Sequence, residues 1–159
     1  MDINNTPYID REIAQLVADY KIALEANRCT GNLINSITAS KEWNDNKFTV
    51  SIEGLEYGKY IEEGTKPHFP PLDAILKWIR LKPILPRANA NGKLPTENQL
   101  AYLIGRKISR VGTEANNHLS NTIDNKNYAE RIALAVAQDI IKDFDEEHIK
   151  DLIAPKTKR

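Results

Sequence analysis

The chain has 159 residues and a formal net charge of zero. A chain of this length most simply forms one domain with its own buried core. A single cysteine, Cys29, excludes an intrachain disulfide and a cysteine-based metal site. The first residues lack a basic region followed by an apolar stretch, and no apolar run approaches the roughly 20 residues of a membrane-spanning helix. We therefore expect a soluble protein, made in a cytoplasm, that has no membrane partner.

Charge is unevenly distributed along the chain. Residues 1–76 hold 12 acidic and 7 basic side chains, whereas residues 77–110 hold 1 acidic and 8 basic ones. Residues 111–155 then hold 9 acidic and 4 basic side chains, and residues 156–159 form a basic tail. A basic middle between acidic ends indicates either a nucleic-acid-binding patch or one half of a charge-complementary contact between copies of the protein.

The N-terminal part of the chain predicts one helix. Apolar residues recur at helical spacing after Thr6-Pro7 and predict a helix from about Tyr8 to Ala26. The apolar residues of the stretch 33–37 predict a short amphipathic turn or the start of a strand.

Alternating periodicity then predicts a β-hairpin. Phe48, Val50 and Ile52 alternate with polar residues, as in a strand with one buried face. Turn-forming residues at 43–47 precede this strand, so the predicted hairpin pairs about 37–43 with 47–54.

The run from Tyr57 to Pro71 combines two tyrosines, an acidic pair, a Gly-Thr turn and three prolines. Prolines on both sides of His68 and Phe69 favour extended backbone there, and Gly64 can adopt positive φ after the acidic pair. We expect a rigid loop that presents aromatic and charged groups, either as a recognition surface or as the rim of an active site.

Apolar spacing over residues 72–79 predicts a second helix, which Pro83 stops near Lys82. Three prolines, a glycine and no periodicity over about 83–95 predict a mobile, exposed loop.

Two more helices are predicted towards the C-terminus. Thr96 and Gln99 fit a capping box for a third helix, which ends at Gly112. A last helix, rich in acidic residues, is predicted from about Asn127 to Ile153.

Catalytic chemistry has little support in this sequence. His68 with Glu62 and Glu63 admits a metal or acid–base site, but the other histidines do not stand at ligand spacing. Cys29 and Ser36 lack the surroundings of a recognisable nucleophile, and the usual phosphate-binding glycine loops are missing. We expect a protein that is not an enzyme and has no cofactor or metal. An enzyme that uses the His68 loop is the third hypothesis, after the two that are described next.

The basic middle segment supports an alternative function. Its eight cations surround Trp78 and Tyr102, a mixture that suits phosphate neutralisation with base stacking. They are Lys77, Arg80, Lys82, Arg87, Lys93, Arg106, Lys107 and Arg110. A nucleic-acid-binding module over 77–110 is therefore the alternative function, although solvated helix faces with Trp78 in the core explain the same pattern.

Two short boxes carry a resemblance to a known family. They are Thr30-Gly31-x-Leu33-x-x-Ser36 and Tyr57-Gly58-x-Tyr60-Ile61-Glu62-x-Gly64-Thr65. With a helix before the first box and strands between the two, the chain resembles the small tail-component proteins of tailed bacteriophages, known as tail-completion or head-to-tail joining proteins. The family usually has alanine where this chain has Gly58. The resemblance covers roughly residues 8–113, and the acidic helix from about Asn127 has no counterpart.

The resemblance implies an α+β fold with a small antiparallel sheet flanked by an N-terminal helix and several C-terminal helices, in one domain over 1–155. It also implies a structural protein of the virion that forms a homo-oligomeric ring, a hexamer or dodecamer, at the head–tail junction. The expected neighbours are portal, adaptor or head-closure proteins on one side and tail proteins on the other, with DNA in the ring lumen if the basic segment faces it. Whether the subtype is tail completion, terminator or neck ring stays open.

Under this interpretation, a first group of residues forms the candidate interface with a neighbouring subunit or partner. It consists of Tyr57, Tyr60, Glu62, Gly64, Thr65, His68, Phe69, Arg106, Lys107 and Arg110. A second group has a structural role in the family motif, namely Thr30, Gly31, Leu33 and Ser36. The alternative for the tyrosines, with Ile61, is that they fill the core.

Overall fold

The computed structural model describes residues 5–44, 47–82, 84–88 and 91–153. The predicted basic tail at 156–159 lies outside the described residues, as do residues 45–46 of the hairpin turn and residues 83, 89 and 90 of the predicted loop. Residues 84–88 and 91–96 contain no helix or strand.

The described residues form seven helices and one hairpin. In chain order these are α1 (Pro7–Leu24), α2 (Asn32–Ser36), β1 (Thr38–Asn44), β2 (Lys47–Glu53), α3 (Gly58–Glu63), α4 (Leu72–Leu81), α5 (Glu97–Val111), α6 (His118–Asn125) and α7 (Tyr128–Ile153). One turn of 3-10 helix, Glu25–Asn27, follows α1. The α+β prediction is confirmed, with a two-stranded antiparallel sheet, an N-terminal helix and several C-terminal helices.

The predicted hairpin forms at the predicted place. β1 and β2 pair antiparallel with Thr38 opposite Glu53 and Trp43 opposite Phe48, whose ring centroids are 5.9 Å apart. Cross-strand aromatic contacts of this kind stabilise a hairpin. The apolar face of β2 is half-buried rather than buried, because Phe48 and its alternating neighbours all keep partial exposure.

The four helices predicted from periodicity and capping are confirmed to within a few residues. The capping box of α5 is complete: the hydroxyl of Thr96 accepts a hydrogen bond from the Gln99 amide at 3.3 Å, and the Gln99 side-chain oxygen accepts one from the Thr96 amide at 3.0 Å. Gly112 ends α5 with φ 73°. The stretch 33–37 forms α2 and then leads into β1.

Two helices were not predicted. The run from Tyr57 to Pro71 is not a loop throughout, because its first half forms α3. Within this run no proline precedes Pro67, so the backbone amides of the first half can form helical hydrogen bonds. Helix α6 escaped prediction because Leu119 and Ile123 are its only two apolar residues, and such polarity is typical of a loop.

The chain divides into two compact units, each made from separate stretches of sequence. Unit 1 contains Met1–Ala23, Ile37–Glu53 and Leu119–Arg159, and unit 2 contains Leu24–Ser36 and Gly54–His118. Compact units made from separate stretches of sequence need not fold independently. One domain over 1–155 therefore stays a prediction.

Polar side chains join α1 to α7 inside unit 1. The fully buried carboxylate of Asp139 accepts hydrogen bonds from the backbone amides of Tyr8 at 3.3 Å and Ile9 at 2.9 Å, which are among the unpaired donors of the first turn of α1. Farther along, the Arg131 guanidinium donates to Glu12 at 2.8 Å. These bonds fix the register of the two helices.

A second buried pair in unit 1, Tyr128 and Asp19, has shifted pKa values. The Tyr128 hydroxyl donates to the Asp19 carboxylate, which also pairs with Lys126 at 2.9 Å. Hydrogen bonds from Lys126 and then from Tyr128 lower the pKa of the Asp19 carboxyl. Burial first, and the bond to Asp19 second, raise the pKa of Tyr128 to about 12.

Unit 2 has its core between α4 and α5. Ile75 and Ile79 of α4 pack with Ala101 of α5, and half-buried residues surround them: Leu76, Ile84, Leu100 and Ile104. Within the described part of the chain, no helix combines the length and the apolar character that crossing a membrane requires.

Candidate protein–protein interface

The two boxes of the family resemblance meet in space inside unit 2. Leu33 of the first box is buried, and a Cβ added to Gly58 of the second would lie 2.9 Å from its Cδ1 atom. The Ser36 hydroxyl donates to the Leu33 carbonyl at 2.7 Å and accepts from the Leu55 amide at 3.0 Å. The boxes therefore form one packed structure, and the smallness of residue 58 allows Leu33 to approach the start of α3.

The first two residues of the first box turn the chain into α2. Gly31 is buried with φ +84°, a backbone conformation that side chains disfavour. The Thr30 hydroxyl accepts a hydrogen bond from the Asn32 amide at 3.4 Å. Thr30 is exposed, so its role is local to this turn.

A second junction of unit 2 joins the end of α3 to the end of α5. The Thr65 amide donates to the Thr113 carbonyl at 3.1 Å, and the Thr113 amide donates to the Thr65 carbonyl at 3.2 Å. Each threonine follows a glycine with φ 73°. A Cβ on either glycine would collide with the opposite backbone. On Gly64 it would lie 2.3 Å from the Thr113 oxygen, and on Gly112 it would lie 1.9 Å from the Thr65 oxygen. We call this four-residue junction the Gly-Thr clasp.

Residues beyond the clasp complete the C-terminal end of α3. The amides of Asn116 and Asn117 donate to the carbonyls of Ile61 and Glu62 at 3.1 and 3.2 Å, which satisfies acceptors that a helix end leaves unpaired. Glu62 itself is half-buried. Sequence reasoning did not identify either asparagine; the repeat of the dipeptide Gly-Thr at 112–113 was the available signal.

Two exposed aromatic side chains help to line a mostly apolar cavity of about 220 Å³ next to α3. Tyr57 and Trp78 form part of its lining together with Leu33 and Ile61. We call this cavity the aromatic pocket. Trp78 is 40 % exposed, so the alternative that it belongs to the core is wrong.

An adjoining depression continues the aromatic pocket, since Ile61 and Trp78 line both. Tyr60, Thr65 and His68 lie along it. Tyr60 is 56 % exposed, so the tyrosines of the second box lie at the surface and do not fill the core. The His68 Nδ1 atom donates to the Lys66 carbonyl at 2.9 Å, which orients the exposed ring.

Phe69 faces a different part of unit 2. Its ring centroid lies 6.2 Å from that of Tyr102, and its Cζ atom would be 3.0 Å from a Cβ added to Gly105. Half of Phe69 stays exposed. The buried Gly105 thus lets the proline-flanked segment pack directly on α5.

The three predicted basic interface residues line neither the aromatic pocket nor its depression. Arg106, Lys107 and Arg110 are exposed on α5, and no ion pair between described residues involves them. Arg80, in contrast, pairs with Glu97 at 3.1 Å. The candidate residues therefore form two surfaces of unit 2: the aromatic pocket with its depression, and the basic face of α5.

Within the described residues, no three histidine, cysteine, aspartate or glutamate side chains cluster as metal ligands. Cys29 is exposed. Comparisons of the chain with protein-family models, with curated proteins and with solved structures find no match.

Proposed function

We propose that this chain is a structural protein of a tailed-bacteriophage particle that assembles into a homo-oligomeric ring and joins the portal complex to the tail. The contact between the two boxes is the observation that carries the proposal: Leu33 of the first box packs at the start of α3, and Ser36 accepts a hydrogen bond from the Leu55 amide just before the second box. Residues that the family resemblance singles out as two separate boxes make one structure, as expected if they belong to a common folding motif.

The surface next to this motif supports a role in binding protein. Tyr57, Tyr60 and Trp78 expose large aromatic areas beside an apolar cavity, and such residues often provide most of the binding energy of an interface. The hydrogen bond to Ser36 and the Gly-Thr clasp hold the backbone on either side of the two tyrosines, so little conformational entropy is lost there on binding.

The proposal is tested with the purified full-length protein and with purified virions. Native mass spectrometry and negative-stain microscopy, on the protein alone and mixed with the portal and tail proteins of the same phage, should show rings of six or twelve copies. Antibody labelling should place the chain at the head–tail junction. A chain that stays monomeric in every mixture and is absent from purified particles would overturn the proposal.

Binding of nucleic acid is the second candidate, and the basic face of α5 favours it. Arg106 and Arg110 are one helical turn apart, and the half-exposed ring of Tyr102 lies one turn before Arg106. A dedicated module should bind DNA with an affinity that falls steeply between about 50 and 200 mM salt. Affinity that is weak at low salt and unchanged in Arg106→Ala and Arg110→Ala would exclude it.

A further inference from the structure

Helix α7 carries an exposed apolar stripe. Leu134, Ile141 and Phe144 are 58 %, 60 % and 70 % exposed, and their spacing of seven and three residues places them on one face of the helix. The buried residues Ala135 and Asp139 lie on the other side. A stripe with this spacing is the usual form of a helix that binds in a groove of a partner.

Acidic side chains accompany the stripe. Glu130 lies one turn before Leu134, and Asp145 directly follows Phe144; both carboxylates are exposed. The whole segment 111–155 holds 9 acidic and 4 basic side chains. A partner that fits this face is therefore apolar in the centre and basic around it.

Unit 2 has a groove with those properties. Its volume is about 860 Å³, and the half-exposed side chains of Leu94, Tyr102 and Leu103 form its apolar part. Arg87 and Lys93 also line it. The helix α5 extends the same surface, because Arg106 follows Tyr102 by four residues and Lys107 follows Leu103 by four.

We propose that the α7 stripe of one copy binds in this groove of a second copy, with the acidic residues of α7 against the basic residues of α5. The lengths match: Leu134 to Phe144 span about 15 Å of helix, and Asn98 to Arg110 span about 18 Å. Two different surfaces meet, so the contact is heterologous and generates a ring when the rotation closes. The inference rests on the proposed function, since it names the surfaces by which copies assemble.

Cross-linking between two single-cysteine variants tests the contact. In a Cys29→Ser background, Phe144→Cys and a tagged Leu103→Cys are mixed and treated with a short bis-maleimide. The expected product is a mixed dimer, at a yield at least about tenfold above that of the control pair Ile22→Cys with Leu103→Cys. Ile22 is a matched control because it is 69 % exposed and belongs to α1. Phe144→Cys alone should give little product, since a heterologous contact does not bring two copies of α7 together.

A charge exchange supplies an independent readout. Arg106→Glu should reduce the yield of the mixed dimer about tenfold, because carboxylates then face each other. Adding Asp145→Lys on the other partner should restore it. Far-ultraviolet circular dichroism of each variant checks that the fold is retained.

Negative-stain microscopy of the same samples distinguishes failure of this contact from failure of the proposed joining function. Rings without the mixed dimer above control overturn this contact and leave the joining function in place. A mixed dimer without rings supports the contact and counts against a closed ring. No oligomer and no mixed dimer, together with absence from virions, overturns both.

Discussion

Thr65 and Thr113, which are 48 positions apart in the chain, hydrogen bond to each other in both directions. Their side-chain oxygens also lie 3.0 Å apart, and the Thr113 amide donates to the Thr65 hydroxyl at 3.1 Å as well. The paired residues are one isolated bridge and not part of the hairpin sheet. This bridge closes the segment that contains α4 and α5, the helices that form the core of unit 2.

Replacing either clasp glycine should destabilise the protein strongly. Gly112→Ala places a Cβ 1.9 Å from the Thr65 oxygen in a backbone region that is nearly exclusive to glycine, so we expect a loss of at least about 2 kcal/mol in the free energy of unfolding. Gly92→Ala is the matched control, because φ is +74° there but nothing lies within 4 Å. It should cost only about 1 kcal/mol. Urea unfolding measures both, and equal losses would show that the close approach is unimportant.

The contact between Gly58 and Leu33 predicts a coupled pair of substitutions. Leu33→Ala should cost about 2–4 kcal/mol, since it removes a buried side chain and leaves a cavity. Gly58→Ala alone forces the Leu33 side chain to shift. In the Leu33→Ala background, the Cβ added at position 58 enters vacated space, and alanine at position 58 favours the helix over glycine. Gly58→Ala should therefore become stabilising in that background. A double-mutant cycle in urea checks this, and a coupling free energy near zero contradicts it.

The carboxylate of Asp139 should contribute to stability through the start of α1. Asp139→Ala leaves two amide donors, the part-buried one of Tyr8 and the buried one of Ile9, without their acceptor, and should cost about 2–3 kcal/mol. Asp139→Asn retains one acceptor oxygen and should cost less. Asp124→Ala, at an exposed position of α6, is the control and should stay within about 0.5 kcal/mol of the parent. Thermal or urea unfolding ranks the three variants; the same loss at positions 124 and 139 would argue against the cap.

Stability should fall at alkaline pH because of Tyr128. Its pKa is about 12 in the folded protein against an ordinary value of 10.0, so folding favours the protonated hydroxyl. Since the folded pKa is the higher one, this stabilisation is complete below pH 10 and is lost as the pH rises through 12, by on the order of 2 kcal/mol. Urea unfolding from pH 8 to 11.5 should show a steeper decline for the parent than for Tyr128→Phe, which cannot titrate. Parallel curves would mean that Tyr128 titrates normally.

Local patterns predicted most helices and the hairpin correctly. The limits of α5 follow from Thr96, Gln99 and Gly112, because a capping box and a positive-φ glycine act within one helical turn. The β2 strand follows from an alternation that needs only a few consecutive residues. In contrast, α3 and α6 are short and mostly polar, so neither has enough apolar residues for a period to be visible.

The sequence predicts where the long helices and the hairpin form, since these elements depend on neighbours within a few residues. It also identified the two boxes and the alternation of charge along the chain. Three features emerge only in the folded chain: Leu33 packs on Gly58, Thr65 pairs with Thr113, and Tyr60 lies at the surface. Each of these depends on residues that are distant in sequence, and an aromatic side chain has the same local pattern whether the fold buries it or exposes it to a partner.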